Sequence, residues 1–110
     1  MKRDIQGSQR LPRMLAFRVT GTGTAVVDEG TTDGTLVDNG TGDYTLTFVN
    51  PFTRVPAIAV TSLTTDVYPV IAGASATGVN VKTFQANDGT TATDGVFHAL
   101  VLGWDTADIV

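Results

Sequence analysis

The stretch Tyr44-Thr45-Leu46-Thr47-Phe48-Val49 constrains the fold more than any other part of the chain. Tyr44, Leu46 and Phe48 alternate with Thr45, Thr47 and Val49. An extended backbone therefore sets an aromatic and apolar face against a mostly threonine face, the period of a half-buried strand. Gly40-Thr41-Gly42-Asp43 ahead of it is turn chemistry. Asn50-Pro51 behind it ends the strand, because proline cannot donate to a ladder and restricts the residue before it.

The rest of the chain repeats this style in short pieces. Arg13 to Thr20 is a first strand with Leu15, Phe17 and Val19 on one face and Met14, Ala16 and Arg18 on the other. Thr24 to Val27 is a short second strand. Asp28-Glu29-Gly30, Thr32-Asp33-Gly34 and Asp38-Asn39-Gly40 read as turns, with only Thr35-Leu36-Val37 as a very short strand between the last two. Val55 to Ser62 and Asp66 to Ala72 are further strands. Pro56 argues for an edge position or a late start, and the second again has an internal proline, Pro69. Val79 to Phe84 alternates Val79 and Val81 inward with Asn80 and Lys82 outward. A polar loop from Asn87-Asp88-Gly89 to Asp94-Gly95 follows, and Val96 to Trp104 is the last strand.

That last strand is apolar on both faces: Phe97, Ala99 and Val101 on one, Val96, Leu100 and Leu102 on the other, with His98 the one polar exception. Both faces are then expected to be covered, the outer one by a second copy of the protein. Strands separated by turns at this spacing predict an all-β fold, a small antiparallel β-sandwich of jelly-roll-like type. An extended N-terminal arm over residues 1–12 precedes a β-sandwich domain over residues 13–110.

A chain of 110 residues is long enough for one core. It holds no cysteine, which removes disulfides and thiolate zinc sites. Its net charge of −4 conceals an asymmetry. Residues 1–18 carry Lys2, Arg3, Arg10, Arg13 and Arg18 against Asp4 alone, a net of +4; Arg54 and Lys82 face ten carboxylates in the remainder, a net of −8. A basic arm on an acidic body marks a tail that meets an acidic partner. The acidic body itself repels phosphates, so no direct nucleic-acid binding is expected of it. No apolar run is long enough to span a bilayer, and the polar stretch from Asp4 to Arg13 is unlike a signal peptide.

Catalytic signals are lacking. His98 is the only histidine, which excludes a histidine-rich metal site and a two-histidine acid–base pair. Ser8, Ser62 and Ser75 lie in no nucleophile-elbow context, and no phosphate-binding or dinucleotide motif occurs. Asp28, Glu29, Asp33 and Asp38 gather in one loop-rich stretch, yet their spacing fits no calcium loop and turn geometry explains them. No cofactor and no enzymatic activity are expected.

The stretch Gly40-Thr41-Gly42-Asp43-Tyr44-Thr45-Leu46-Thr47-Phe48, with Pro51-Phe52 behind it, resembles a strand that recurs in small β-sandwich domains of tailed-bacteriophage virion proteins. The later Val79–Phe84 strand, the Asn87-Asp88-Gly89 loop and the apolar Phe97–Gly103 strand resemble the same domains. The resemblance spans roughly residues 14–104. It implies a virion structural protein, commonly a homotrimer. A small domain that starts at its own Met1 with a short basic arm suits a capsid decoration (cement) protein on the capsid exterior, bound to the major capsid protein. Lys2, Arg3, Arg10 and Arg13 would then form the capsid-binding arm, and Phe17, Phe97, Leu100 and Leu102 the subunit interface or core. The alternative is a tail-fibre or receptor-binding head domain that adheres to the host surface through loops 28–43 and 85–95.

Overall fold

The computed structural model describes residues 12–20, 26–29 and 32–104. The described residues form eight strands and no helix. They are β1 (Arg13–Thr20), β2 (Val26–Glu29), β3 (Gly34–Gly40), β4 (Asp43–Phe48), β5 (Ala57–Ser62), β6 (Val67–Ala74), β7 (Gly78–Gln85) and β8 (Phe97–Gly103).

They assemble into two four-stranded sheets, one in the order β2-β1-β8-β5 and the other in the order β3-β4-β7-β6. Every pairing is antiparallel. The fold class is therefore the expected antiparallel sandwich, while this strand order does not confirm the finer expectation of a jelly roll. β2 adjoins β3 and β5 adjoins β6, so the sheets stack edge over edge.

The alternation read in the sequence sets the core. Leu15, Phe17 and Val19 of β1 and Phe97, Ala99 and Val101 of β8 are buried against Tyr44, Leu46 and Phe48 of β4 and Val79 and Val81 of β7. Rings meet across the layers: Phe17 stacks on Phe48 with centroids 6.4 Å apart, and Tyr44 lies 5.5 Å from Phe97. Both spacings are those at which aromatic pairs attract beyond the area they bury. Each large side chain buried here contributes about 1.5–3 kcal/mol of transfer free energy.

Both prolines of the later strands act as expected. β5 starts at Ala57, one residue past Pro56, and β5 and β6 are both sheet edges. Pro69 sits inside β6, where the missing donor faces no further strand.

Two details differ from the sequence reading. β2 runs Val26–Glu29, so Asp28 and Glu29 continue a strand where a turn was expected; residues 24 and 25 lie outside the described residues. β3 is much longer than Thr35–Val37, and Asp38-Asn39-Gly40 belongs to it. The turn falls at Thr41-Gly42, inside the expected 40–43 stretch, where Gly42 takes φ +63°. The physical reason is a bulge: the register shifts between Asp38 and Gly40, the Asp38 carboxylate accepts the Gly40 N–H at 2.9 Å, and Gly40 supplies φ +128°. Asp-Asn-Gly chemistry that suits a turn suits a bulge equally.

Candidate functional site

The pairing of β1 with β8 defines two poles of the sandwich. Arg13 faces Gly103 at one, and Val19 faces Phe97 at the other. The chain before residue 12 joins the first, here the arm pole. The turn at Thr41-Gly42 and the loop between β7 and β8 gather at the second, the loop pole.

At the arm pole Arg13 is part of the body. Its guanidinium donates to the Asn50 carbonyl at 2.6 Å and lies 4.1 Å from the centroid of the Phe52 ring. Phe52 is buried, stands edge-on to Phe48 at 5.3 Å, and leaves no room for a side chain at Gly103, where a Cβ would come within 2.7 Å of its ring. The link after β4 thus folds under the start of β1, and Arg13 fastens it. Lys2, Arg3 and Arg10 lie outside the described residues, as does the 105–110 tail.

The outer face of the β1-β8-β5 sheet is the most distinctive surface. The register aligns Met14 with Leu102 and Ala16 with Leu100 on one side of β8, and Ala57 with Leu102 and Ala59 with Leu100 on the other. These side chains project away from the core. Met14 is 61% exposed and Leu100 46%, while Leu102 is half-buried. The apolar stripe ends toward the loop pole at His98, which is exposed and flanked by Arg18 and Thr61 in the register. The four residues expected at an interface or in the core therefore separate. Phe17 and Phe97 are core, both 1% exposed, and Leu100 and Leu102 carry the outer stripe.

The loop pole is polar and tightly tied. The Tyr44 hydroxyl donates to Asp94 Oδ1 at 2.9 Å, and the Gly42 N–H donates to the same oxygen at 2.8 Å. Thr83 is buried; its N–H donates to the Gly42 carbonyl, and its hydroxyl donates to the Thr93 carbonyl. Burial, and then the hydrogen bond to Asp94, push the Tyr44 phenol up to about 12. Farther out, Asp88 accepts the hydroxyl of Thr91 and the N–H groups of Thr90 and Thr91, which hold its carboxyl below the ordinary range. The hydrogen bonds of Gly42 bring the 40–43 turn against the 85–95 loop, so these parts of the two loop regions expected for a receptor surface meet at one pole. Nothing in the sequence marked Asp94 as their link, since Asp94-Gly95 reads there as loop chemistry.

His98 lies on a sheet surface, and among the described residues no group of three or more His, Cys, Asp or Glu is placed to hold a metal ion. Among the same residues no helix is long and apolar enough to cross a membrane. Comparison with protein families, curated proteins and solved structures finds no significant match.

Proposed function

We propose that the protein is a virion structural protein of a tailed bacteriophage, a capsid decoration protein that binds the outer surface of the shell as a homotrimer and stabilises it. The observation that carries this reading is the apolar stripe of exposed Met14 and Leu100 and half-buried Leu102, framed by alanines from β1 and β5. An apolar patch that none of the described residues covers is a surface for association, and self-association supplies its cover.

The arm supports the same reading. Its root is fastened at one pole by Arg13. The cations Lys2, Arg3 and Arg10 precede that root in the sequence and suit an acidic face of the major capsid protein. The function is mechanical and needs no cofactor, nucleic acid or membrane. Three arms on one trimer act as a multivalent foot, so weak individual contacts combine into a lasting attachment between neighbouring capsomers.

The test is co-sedimentation of the full chain and of a chain lacking residues 1–12 with phage heads stripped of their decoration protein. The full chain pellets with the heads, and the truncated chain keeps its trimeric solution mass but stays in the supernatant. Undiminished pelleting of the truncated chain rejects the arm's role, and a monomeric full chain rejects the stripe's role.

A second reading, a tail-fibre or receptor-binding head domain, draws on the meeting of the 40–43 turn and the 85–95 loop at the loop pole. Specific adsorption of the isolated protein to host cells, without binding to heads, favours it.

A further inference from the structure

A cleft of about 520 Å³ opens at the loop pole between the turn joining β5 to β6 and the loop that leaves β7. Thr65, Asp66, Val67, Gln85, Asn87 and Thr93 line it. Its size falls within the range of small-molecule sites, about 300–1,000 Å³.

The cleft's backbone is fixed from several directions. The Ala86 N–H donates to the Asp66 carbonyl at 2.8 Å, the Gln85 N–H to the Thr91 carbonyl at 2.9 Å, and the Thr93 N–H to the Thr83 carbonyl at 3.1 Å. Thr64 holds the other wall, its hydroxyl oxygen accepting the Val96 N–H at 2.7 Å. Against this tied frame, the side chains of Thr65, Asp66, Gln85 and Asn87 make no hydrogen bond to another described residue. The site therefore combines a preorganised backbone with uncommitted side-chain donors and acceptors.

We propose that this cleft binds an uncharged hexose-type saccharide. A carboxylate accepts from two adjacent hydroxyls, and two carboxamides and two threonine hydroxyls both donate and accept, a set that matches vicinal ring hydroxyls. The exposed methyl of Ala86 supplies the apolar surface for the C–H face of a ring, with the buried Val67 behind the cleft wall. The lining holds one carboxylate and no cation, which disfavours phosphates and other anions. A single carboxylate falls short of the ligand charge that calcium sites gather.

Asp66 is the central group. It sits at φ +64° in the turn that the Val67 N–H closes on the Thr64 carbonyl, a position that glycine or asparagine ordinarily fills. This inference stands apart from the decoration-protein reading, because neither the arm nor the apolar stripe contributes to the cleft, and it shares the 85–95 loop with the receptor-binding reading.

The test is a set of amide proton–nitrogen NMR titrations of the full chain with glucose, galactose, mannose and N-acetylglucosamine, with inorganic phosphate and glycylglycine for comparison. At least one sugar shifts the amides of Asp66, Gln85, Asn87 and Thr93 saturably, and phosphate and the dipeptide leave them in place. Asp66→Asn keeps the size and the tolerance of positive φ, so its melting temperature is unchanged. Its sugar affinity falls about tenfold, the loss of a charge-assisted acceptor. The proposal is overturned if none of the four sugars moves these amides up to tens of millimolar. It is equally overturned if Asp66→Asn binds as well as the parent, or if phosphate or the dipeptide saturates the cleft instead.

Discussion

The phenol of Tyr44 and the carboxylate of Asp94 meet at 2.9 Å across a sequence separation of 50 residues. The same carboxylate oxygen accepts the Gly42 N–H at 2.8 Å, so one acceptor joins the start of β4 to the loop that leads into β8. Removing it by Asp94→Ala leaves a buried hydroxyl and a buried N–H without their acceptor. The expected cost is about 2–6 kcal/mol, since each of the two orphaned groups forfeits about 1–3 kcal/mol. Tyr44→Phe removes one donor and leaves Asp94 bonded to Gly42, so it costs only about 1 kcal/mol. Equilibrium denaturation in guanidinium ranks the two, and an equal or larger loss for Tyr44→Phe contradicts the shared-acceptor arrangement.

The same phenol predicts an alkaline transition. Its ionisation is pushed from 10.0 up to about 12 by burial and by Asp94. The fold thus favours the protonated form, and the stabilisation it provides is complete below pH 10 and is lost as pH rises from 10 toward about 12. Denaturation midpoints measured across this window should fall in the parent. In Tyr44→Phe the fall attributable to this group should vanish, leaving a shallower decline.

Gly42 tests the turn itself. Its φ of +63° is a conformation that side-chain-bearing residues adopt rarely, and a Cβ there would come within 2.6 Å of the Thr83 carbonyl oxygen. Gly42→Ala therefore destabilises by more than about 1 kcal/mol. Gly40 also has positive φ, but nothing lies within 4 Å of its would-be Cβ. Gly40→Ala should cost less in the same thermal melt, and a reversed order places the crowding elsewhere.

Much of this fold was legible because its strands alternate. Leu15, Phe17 and Val19, Tyr44, Leu46 and Phe48, and Val79 and Val81 are buried as the period-two pattern requires. Pro56 marked the delayed start of β5 for a purely local reason, its missing donor. The bulge at Asp38–Gly40 was illegible, since the same residue types serve a turn or a bulge and the choice depends on pairing with β4. Strand order and the Asp94 link depend on contacts distant in sequence, which alternation within a segment does not encode. The doubly apolar character of β8 was readable, and the structure assigns its faces: Phe97 inward and Leu100 outward.

Arg13 is expected to separate from the other basic residues of its group. Its guanidinium is engaged by the Asn50 carbonyl and the Phe52 ring within the body. Arg13→Ala should lower stability by about 1–3 kcal/mol through the lost charged hydrogen bond and cation–π contact. Arg13→Lys should recover only part of this, because an ammonium lacks the planar fork. If the proposed function holds, replacing Lys2, Arg3 and Arg10 together by glutamine should weaken co-sedimentation with stripped phage heads while leaving the melting temperature unchanged. An unchanged melting temperature for Arg13→Ala places this residue functionally with the arm instead.

Two positions on opposite faces of β8 give the sharpest contrast. Phe97 is 1% exposed and touches Tyr44 across the core, so Phe97→Ala should cost about 3–5 kcal/mol in the transfer and cavity terms. Leu100, three residues on, is 46% exposed on the opposite face. Leu100→Ser should change the stability of the isolated chain by no more than about 0.5 kcal/mol, as surface substitutions do. If the stripe holds copies together, Leu100→Ser also lowers the sedimentation-equilibrium mass at a given concentration. The further substitution Met14→Ser, opposite Leu102 in the register, lowers it again. A parent whose mass is already that of one chain, or a Leu100→Ser variant whose mass is unchanged, removes the stripe from any role in assembly. Denaturation monitored at a concentration where the parent is monomeric keeps the stability readout separate from the association readout.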